Sequence, residues 1–249
     1  MEVGFKSDKG LQRQNNEDAC FILLADKVYV IADGVGGGNA GEIASRTAVS
    51  QIASYIVDHP IEETGDKYRI ASYFQNCLER VNGHIFEMAN KYTANHGMAT
   101  TIVVVYAERE KAYIANVGDS RAYLFRDGQL TQLTEDHTYV NTLVKAGLLT
   151  EEEAKVDERK NVITKAMGAE PEVEPDFFQV DIMPGDIILM CTDGLYDEVS
   201  EEEIVQVIQK QRSMSDTCSE LVQRANENGG RDNITVITLR VTEEDIHEQ

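Results

Sequence analysis

The chain has 249 residues, 42% hydrophobic and 27% charged, a globular composition whose length suits one large domain or two small ones. Its 44 acidic against 23 basic side chains give a formal charge of −21, which excludes charge-driven, nonspecific binding of nucleic acid or of an anionic membrane surface. Cys20, Cys77, Cys191 and Cys218 are far apart and form no Cys-x-x-Cys pair. Neither a zinc site nor a disulfide framework is signalled, and a reducing cytoplasm is the expected location. The first residues carry charges in place of a signal peptide's apolar core, and no apolar run reaches the length of a membrane span, so no membrane insertion is expected.

Short β-rich runs come first, at Val3–Ser7, Phe21–Leu24 and Val28–Ala32, each closed by charged or glycine-rich residues that suit turns. Two helical patterns follow. One covers about Gly41 to Asp58, with Ala44, Ala48, Ile52 and Ile56 on one stripe; the other covers about Tyr68 to Tyr92, with Ile70, Phe74, Leu78, Val81 and Ile85 at helical spacing. Both predict amphipathic helices lying on a core. The middle reads as a meander of Thr101–Tyr106, Ala112–Val117, Arg121–Phe125 and Gln129–Leu133, the last pair joined by Asp127-Gly128, a common hairpin turn. From about Val140 to Lys165 the pattern changes to a polar, helical insert or flap, with Thr150 and Glu153 placed as a capping box. Strands at Phe177–Val180 and Ile187–Met190, a helix capped by Ser200 with Glu203 three residues on, a helix around Asp216–Ala225 and a strand Ile234–Val241 complete the chain. Helices in local pairs and strands in meanders argue α+β, with helices packed on antiparallel sheets. No Pro/Gly-rich boundary divides residues 1–249, so one domain is expected.

The informative residues are aspartates at strand ends. Asp33, Asp119 and Asp193 each follow a run apolar enough to be a buried strand, and Asp232 immediately precedes the last one. Taken singly, Asp-Gly after a strand is ordinary turn chemistry. Taken together, four strand ends can bring four carboxylates side by side, where like charges repel and a divalent cation relieves them. An all-oxygen set of Asp carboxylates, with the Gly34 carbonyl offered beside Asp33, suits Mg²⁺ or Mn²⁺ and disfavours zinc. Two such ions would make a water nucleophilic and polarise a phosphoryl oxygen. Arg13, in a loop just before Asn16-Glu17-Asp18, is the candidate fork for a phosphate, although an arginine near acids is commonly a surface pair. The Gly36-Gly37-Gly38 run lacks the lysine and spacing of a phosphate loop.

The ordered set Arg13…Asn16-Glu17-Asp18, Asp33-Gly34-Val35-Gly36-Gly37, Ala99-Thr100-Thr101, Val117-Gly118-Asp119-Ser120-Arg121, Asp136-His137, Pro184-Gly185-Asp186, Asp193-Gly194-Leu195 and Gly229-Gly230-Arg231-Asp232-Asn233 resembles the metal-dependent protein phosphatases, the type 2C serine/threonine phosphatases, in their compact bacterial form. The match runs from about Lys6 to Val241. The resemblance implies an αββα sandwich, two antiparallel sheets flanked by helix pairs, with a binuclear Mn²⁺/Mg²⁺ site. It implies that Asp33 bridges both metals, Gly34 gives a carbonyl ligand, Asp193 and Asp232 hold the first metal, and Asp119 shares a weaker third ion with Asp193. Glu17, Asp18, Thr101 and Asp197 match positions that hold metal-bound waters. Arg13 matches the arginine that binds substrate phosphate, and the insert about 140–165 corresponds to the family's flap.

The implied activity is hydrolysis of phosphoserine and phosphothreonine in proteins by a metal-activated water in direct attack, and the implied partners are phosphorylated substrates and a cognate serine/threonine kinase. A cytoplasmic monomer is expected. A rival reading is a catalytically silent phosphoprotein-binding or metal-sensing relative, which would be expected to lose metal aspartates that this chain keeps. An acidic divalent-ion buffer would need ligands clustered in one loop, and no such loop occurs. Two departures from the family stand at Val35 and Gly38, where a histidine or methionine and a histidine respectively are common, so neither place supplies a general acid. Ala99 stands where glycine is usual, and His137 is expected to be a structural hydrogen-bonding residue.

Overall fold

The computed structural model describes residues 1–37 and 40–247. The first half contains β1 Glu2–Asp8, β2 Asp18–Leu23, β3 Val28–Val35, helices α1 Ala40–Asp58 and α2 Lys67–Lys91, then β4 Ala99–Thr100, β5 Ile102–Glu108 and β6 Lys111–Val117. The second half contains β7 Arg121–Arg126, β8 Gln129–Gln132, α3 Tyr139–Lys145, α4 Glu151–Val156, β9 Asp176–Asp181, β10 Ile187–Cys191, α5 Asp193–Tyr196, α6 Glu201–Ile208, α7 Met214–Glu227, β11 Ile234–Arg240 and α8 Glu243–His247. One sheet has the order β1-β11-β10-β7-β8 and the other β2-β3-β5-β6-β9, with β4 attached to β3. The strand pairings are antiparallel.

Three apolar layers explain the stacking. On β3, alternate residues Val28, Val30 and Ala32 pack under the stripe Ala44, Ala48, Ile52 and Ile56 of α1 and under Ile70, Phe74 and Leu78 of α2. The intervening Tyr29 and Ile31 face the other way and meet Ile188, Met190, Ile237 and Leu239 of the opposite sheet. Beyond that sheet, Ile187, Leu189 and Cys191 of β10 pack on Leu195, Ile204, Val207 and Leu221 from α5, α6 and α7. Strands buried on both faces read as continuous apolar runs, and here the period of two decides which layer each residue enters. Each fully buried aliphatic side chain contributes about 1.5–3 kcal/mol. The architecture is an αββα sandwich.

The central meander differs from its reading in sequence. β5 and β6 pair in one sheet, whereas β7 and β8 pair in the other, so the chain changes sheets between Val117 and Arg121. Alternation alone is the same in either arrangement; the crossing is made by Gly118, whose φ of 104° is open to glycine at no steric cost. A Cβ there would stand 2.6 Å from Thr101 Cγ2. The later hairpin at Asp127-Gly128 has positive φ at both residues, 51° and 81°, the geometry that suits a twisted two-residue turn.

The local signals land where the side chains dictate. Ser200 and Thr150 each accept the backbone N–H three residues on, and Glu203 and Glu153 return the bond to the cap's own N–H. Capping of this kind stabilises a helix start by about 1 kcal/mol. Val162 accepts from the Tyr139 N–H at 2.8 Å and His137 accepts from the Thr164 N–H at 2.8 Å, so the insert leaves and rejoins the body at one narrow base.

Candidate metal centre and active site

Antiparallel order brings particular strand ends to one mouth. β3 ends at the Asp33 turn and β2 begins at Asp18, directly opposite it in the ladder. β6 runs into Asp119, β10 into Asp193, and β11 starts after Asp232. Asp33 feels the charges of Asp18, Asp193, Asp119 and Asp232, which places all five carboxylates in one neighbourhood although they come from both sheets.

The electrostatics of that neighbourhood are those of buried like charges. Burial first, and then Asp18, Asp193 and Asp119, push the Asp33 carboxyl well above the ordinary range. Burial also raises Asp18 to about 7, helped by Asp193 and Asp232. Asp193 rises to about 7 from burial and the charges of Asp232 and Asp197, and Asp119 to about 8 from burial and the charge of Asp193. The Asp193 and Asp33 carboxyls stand within hydrogen-bonding reach of each other, so a shared proton is the alternative to a cation there.

The backbone around the mouth is held rigid. The Asp33 N–H donates to Thr101 Oγ1 at 2.9 Å, and the Asp33 carbonyl accepts from Thr100 Oγ1 at 2.8 Å and from the Thr101 N–H at 2.8 Å. Thr101 Oγ1 also lies 2.7 Å from Ser120 Oγ, so its hydroxyl is engaged in bracing Asp33 and the Asp119 turn. Gly34 sits against the first turn of α1: a Cβ on it would stand 2.1 Å from the Gly41 carbonyl oxygen. Gly194 is as tightly placed, with a Cβ falling 2.0 Å from the Asn233 carbonyl oxygen.

Asp18 ties the two sheets together. Its Oδ2 accepts from Thr192 Oγ1, directly after β10 of the opposite sheet, at 2.9 Å and from Thr235 Oγ1 of β11 in that sheet at 2.7 Å. Its Oδ1, like Asp193 Oδ1, is buried without a hydrogen-bond partner. An orphaned buried carboxylate oxygen is costly unless a donor or a cation completes it. Thr192 and Thr235 carried no signal in the sequence, since a threonine in a strand reads as ordinary β composition.

Arg13 is at this mouth, and its guanidinium donates to Asp232 Oδ2 at 2.5 Å. The sequence had offered it to phosphate; in the structure Asp232 is its partner. Among the described residues no three His, Cys, Asp or Glu side chains already stand in chelating geometry, and mutual repulsion opposes closer approach of bare carboxylates. Glu17 lies beside Gly41, where its Oε2 would be 2.4 Å from an added Cβ, and its Oε1 accepts from Asn15 Nδ2. Asp197 follows α5 and accepts from Lys160 Nζ of the insert at 2.6 Å. Lys160 was read only as part of a polar stretch, because nothing local shows which body residue an insert reaches.

The expected departures also have places. Val35 is exposed beside the mouth and pairs with the buried Ala99 across β3 and β4, while Gly38 lies outside the described residues. His137 Nδ1 accepts the Gly118 N–H at 2.9 Å, and Nε2 lies 3.1 Å from Asp176. Burial lowers its pKa, against the opposing pull of Asp176, so at neutral pH the ring is an uncharged brace for the Gly118-Asp119 turn. Between the insert and the body lies a cavity of about 640 Å³, bordered by Arg121, Asp136, Lys160, Tyr196 and Asp197.

An all-oxygen, mutually repelling carboxylate cluster with unpaired buried oxygens suits hard divalent cations better than softer ones. Asp33, Asp193, Asp232 and Asp119 are among the carboxylates gathered there, and Gly34 directly follows Asp33.

Known proteins carry the same frame. A family model described as Protein phosphatase 2C matches residues 11–236. The chain is 38% identical over 248 residues to Protein phosphatase PhpP of Streptococcus pneumoniae, covering 98% of this chain and 99% of that one. The structure of the Streptococcus agalactiae serine/threonine phosphatase is 35% identical with a TM-score of 0.89, covering 96% of this chain and 99% of that one. The catalytic domain of the serine/threonine protein phosphatase PstP, in complex with two manganese ions, is 34% identical with a TM-score of 0.84, over 97% and 98% of the two chains.

Proposed function

The chain belongs to the protein phosphatase 2C family, and from that premise we propose that it hydrolyses phosphoserine and phosphothreonine in proteins at a binuclear Mn²⁺ or Mg²⁺ centre. The observation that carries the reading is the convergence of five buried or half-buried aspartates from two sheets at one mouth, with Arg13 beside them. In this reading Asp33, with the Gly34 carbonyl, would serve both ions, Asp193 and Asp232 would hold one of them, and Asp119 with Asp193 would take a weaker third. Glu17, Asp18, Thr101 and Asp197 would order waters around the ions, and Thr101 also accepts the Asp33 N–H. The ions would supply the charge that makes a water nucleophilic and withdraws electron density from the phosphoryl group.

The remaining chemistry belongs to the chain. Arg13 exchanges its contact with Asp232 for two phosphate oxygens, which its planar fork can grip in one orientation. The Asp33 and Asp193 carboxyls, raised by burial, would have to be deprotonated to hold cations, because metal ligation requires the deprotonated form. No histidine lies in the segment from Asp33 to Gly38, and His137 is uncharged and spent on backbone. Neither place can protonate the leaving alkoxide, which favours a water as the proton source. Residues 1–249 act as one domain, a cytoplasmic monomer that opposes a cognate serine/threonine kinase.

The test is direct. Purified protein with Mn²⁺ hydrolyses p-nitrophenyl phosphate and a phosphothreonine peptide, and EDTA abolishes both. Absence of hydrolysis of either substrate with Mn²⁺ or Mg²⁺ present overturns the reading.

A further inference from the structure

Asn233 directly follows Asp232 at the start of β11, and its side chain is almost wholly enclosed at 4% exposure. Its hydrogen bonds all reach the segment that carries Arg13. Oδ1 accepts from the Glu17 N–H at 2.7 Å, and Nδ2 donates to the Lys9 carbonyl at 2.8 Å and the Asn15 carbonyl at 2.9 Å. Its own backbone N–H donates to Asp232 Oδ1 at 2.7 Å. One side-chain amide thus grips both ends of the loop from Lys9 to Glu17, while the backbone N–H of the same residue orients the neighbouring carboxylate.

The grip extends across the sandwich. The Glu17 carbonyl accepts the Gly34 N–H at 3.1 Å and the Ser45 hydroxyl at 2.5 Å, so Asn233 on one sheet is linked through Glu17 to the Asp33-Gly34 turn and to α1 on the other. Around that grip Leu11, Gln12 and Arg13 are exposed, and the loop has further side-chain bonds, among them the Gly10 N–H to Asp8 Oδ1 at 2.9 Å, Asn16 Nδ2 to Ser7 Oγ at 2.8 Å and Arg13 to Asp232. Its middle adds two backbone bonds from Leu11 and Gln12 to the Gly230 carbonyl. Asn suits this post because a single side chain offers one acceptor and two donors. Aspartate would lose the donors, and an aliphatic residue would leave buried backbone groups unpaired.

We infer that Asn233 is the positioning residue that holds the Arg13 loop in register with Asp232 and Gly34, and so couples phosphate recognition to the two halves of the metal site. It touches neither phosphate nor cation. The inference rests on the proposed phosphatase reading only for its kinetic consequence; the loop geometry stands without it.

The test uses Asn233→Ala, the isosteric Asn233→Asp and, as a control for general destabilisation, Val236→Ala, whose side chain is buried among α5–α7. Removal of an outer support of metal ligands, here the link from the Asn233 side chain through Glu17 to Gly34, weakens metal affinity by about 10–100-fold. For Asn233→Ala at a temperature well below unfolding, Mn²⁺ affinity by calorimetry falls into that range. The KM for p-nitrophenyl phosphate rises more than kcat falls, and amide exchange of residues 9–17 in the metal-free protein accelerates at least about tenfold. Asn233→Asp keeps the acceptor for Glu17 and loses the donors, so its faster exchange is confined to the part from Lys9 to Asn15. Val236→Ala lowers the melting temperature and moves none of these. Unchanged exchange and KM in both Asn233 variants, or equal changes in Val236→Ala, overturn the inference, whereas a wild type without phosphatase activity but with the expected exchange pattern would defeat the functional reading alone.

Discussion

The same two sheets meet twice, once between their centres and once at their mouth, and the two meetings are opposite in kind. Between the centres, Ile31, Val103, Ile188, Met190 and Ile237 form one apolar cluster. A few residues further along β3, β10 and β11, the facing groups are Asp33, Asp193 and Asp232, with Asp18 and Asp119 beside them. The centre supplies free energy through buried apolar area. The mouth spends part of it by holding carboxylates together, a state that only cations or protons relieve. A rigid frame with a locally unfavourable site is what a metal centre needs, because the repulsion that costs stability is the attraction offered to the ion.

Substitutions at the two places should therefore behave oppositely. The largest effect is expected for Asp193→Asn at the mouth: turnover of p-nitrophenyl phosphate falls by more than about 100-fold, beyond what loss of an outer partner costs. The metal-free melting temperature stays level or rises, because a buried like charge has gone. Full retained turnover would remove Asp193 from the site. Next is Ile188→Ala in the centre, which leaves a cavity and should cost about 2–5 kcal/mol in denaturant unfolding with kcat nearly unchanged at low temperature. A loss of activity without loss of stability there would break the contrast.

The smallest and most diagnostic effect concerns pH. Asp18 and Asp193 lie near 7 and Asp119 near 8 in the fold, against about 4 in an unfolded chain. Their folded pKa values are raised, so the folded metal-free protein holds extra protons, and that contribution to stability is intact below pH about 4 and lost as pH climbs through 7 to 8. The metal-free melting temperature should fall from pH 5 to pH 8, and millimolar Mn²⁺ should raise it more at pH 8 than at pH 6. A Mn²⁺ shift that does not grow with pH would mean the cation is bound elsewhere.

Much of this contrast was legible before folding, and the exceptions have a common cause. The helices of α1 and α2, the two capping boxes and the Asp127-Gly128 turn follow from residues close in sequence, and they form within a residue or two of their expected bounds. The aspartates were conspicuous because a charge ending an apolar strand is locally anomalous. The division of the meander between sheets was hidden, because β5–β6 and β7–β8 have the same alternation and only the Gly118 crossing separates them. Thr192 and Thr235 on Asp18, Lys160 on Asp197 and Arg13 on Asp232 were hidden for another reason: each is a contact between residues 37 to 219 positions apart.

The sequence by itself determined the long helices and most of the strands, though not the short β4, α5 and α8, that the chain is too acidic to seek polyanions, and which carboxylates end buried strands, because periodicity, capping and charge are properties of neighbours along the chain. Tertiary structure alone decided that those carboxylates share one mouth, that Asp18 bolts one sheet to the other, and that Asn233 clamps the Arg13 loop. Burial, mutual repulsion and the completion of buried hydrogen bonds exist only once distant residues have been brought together.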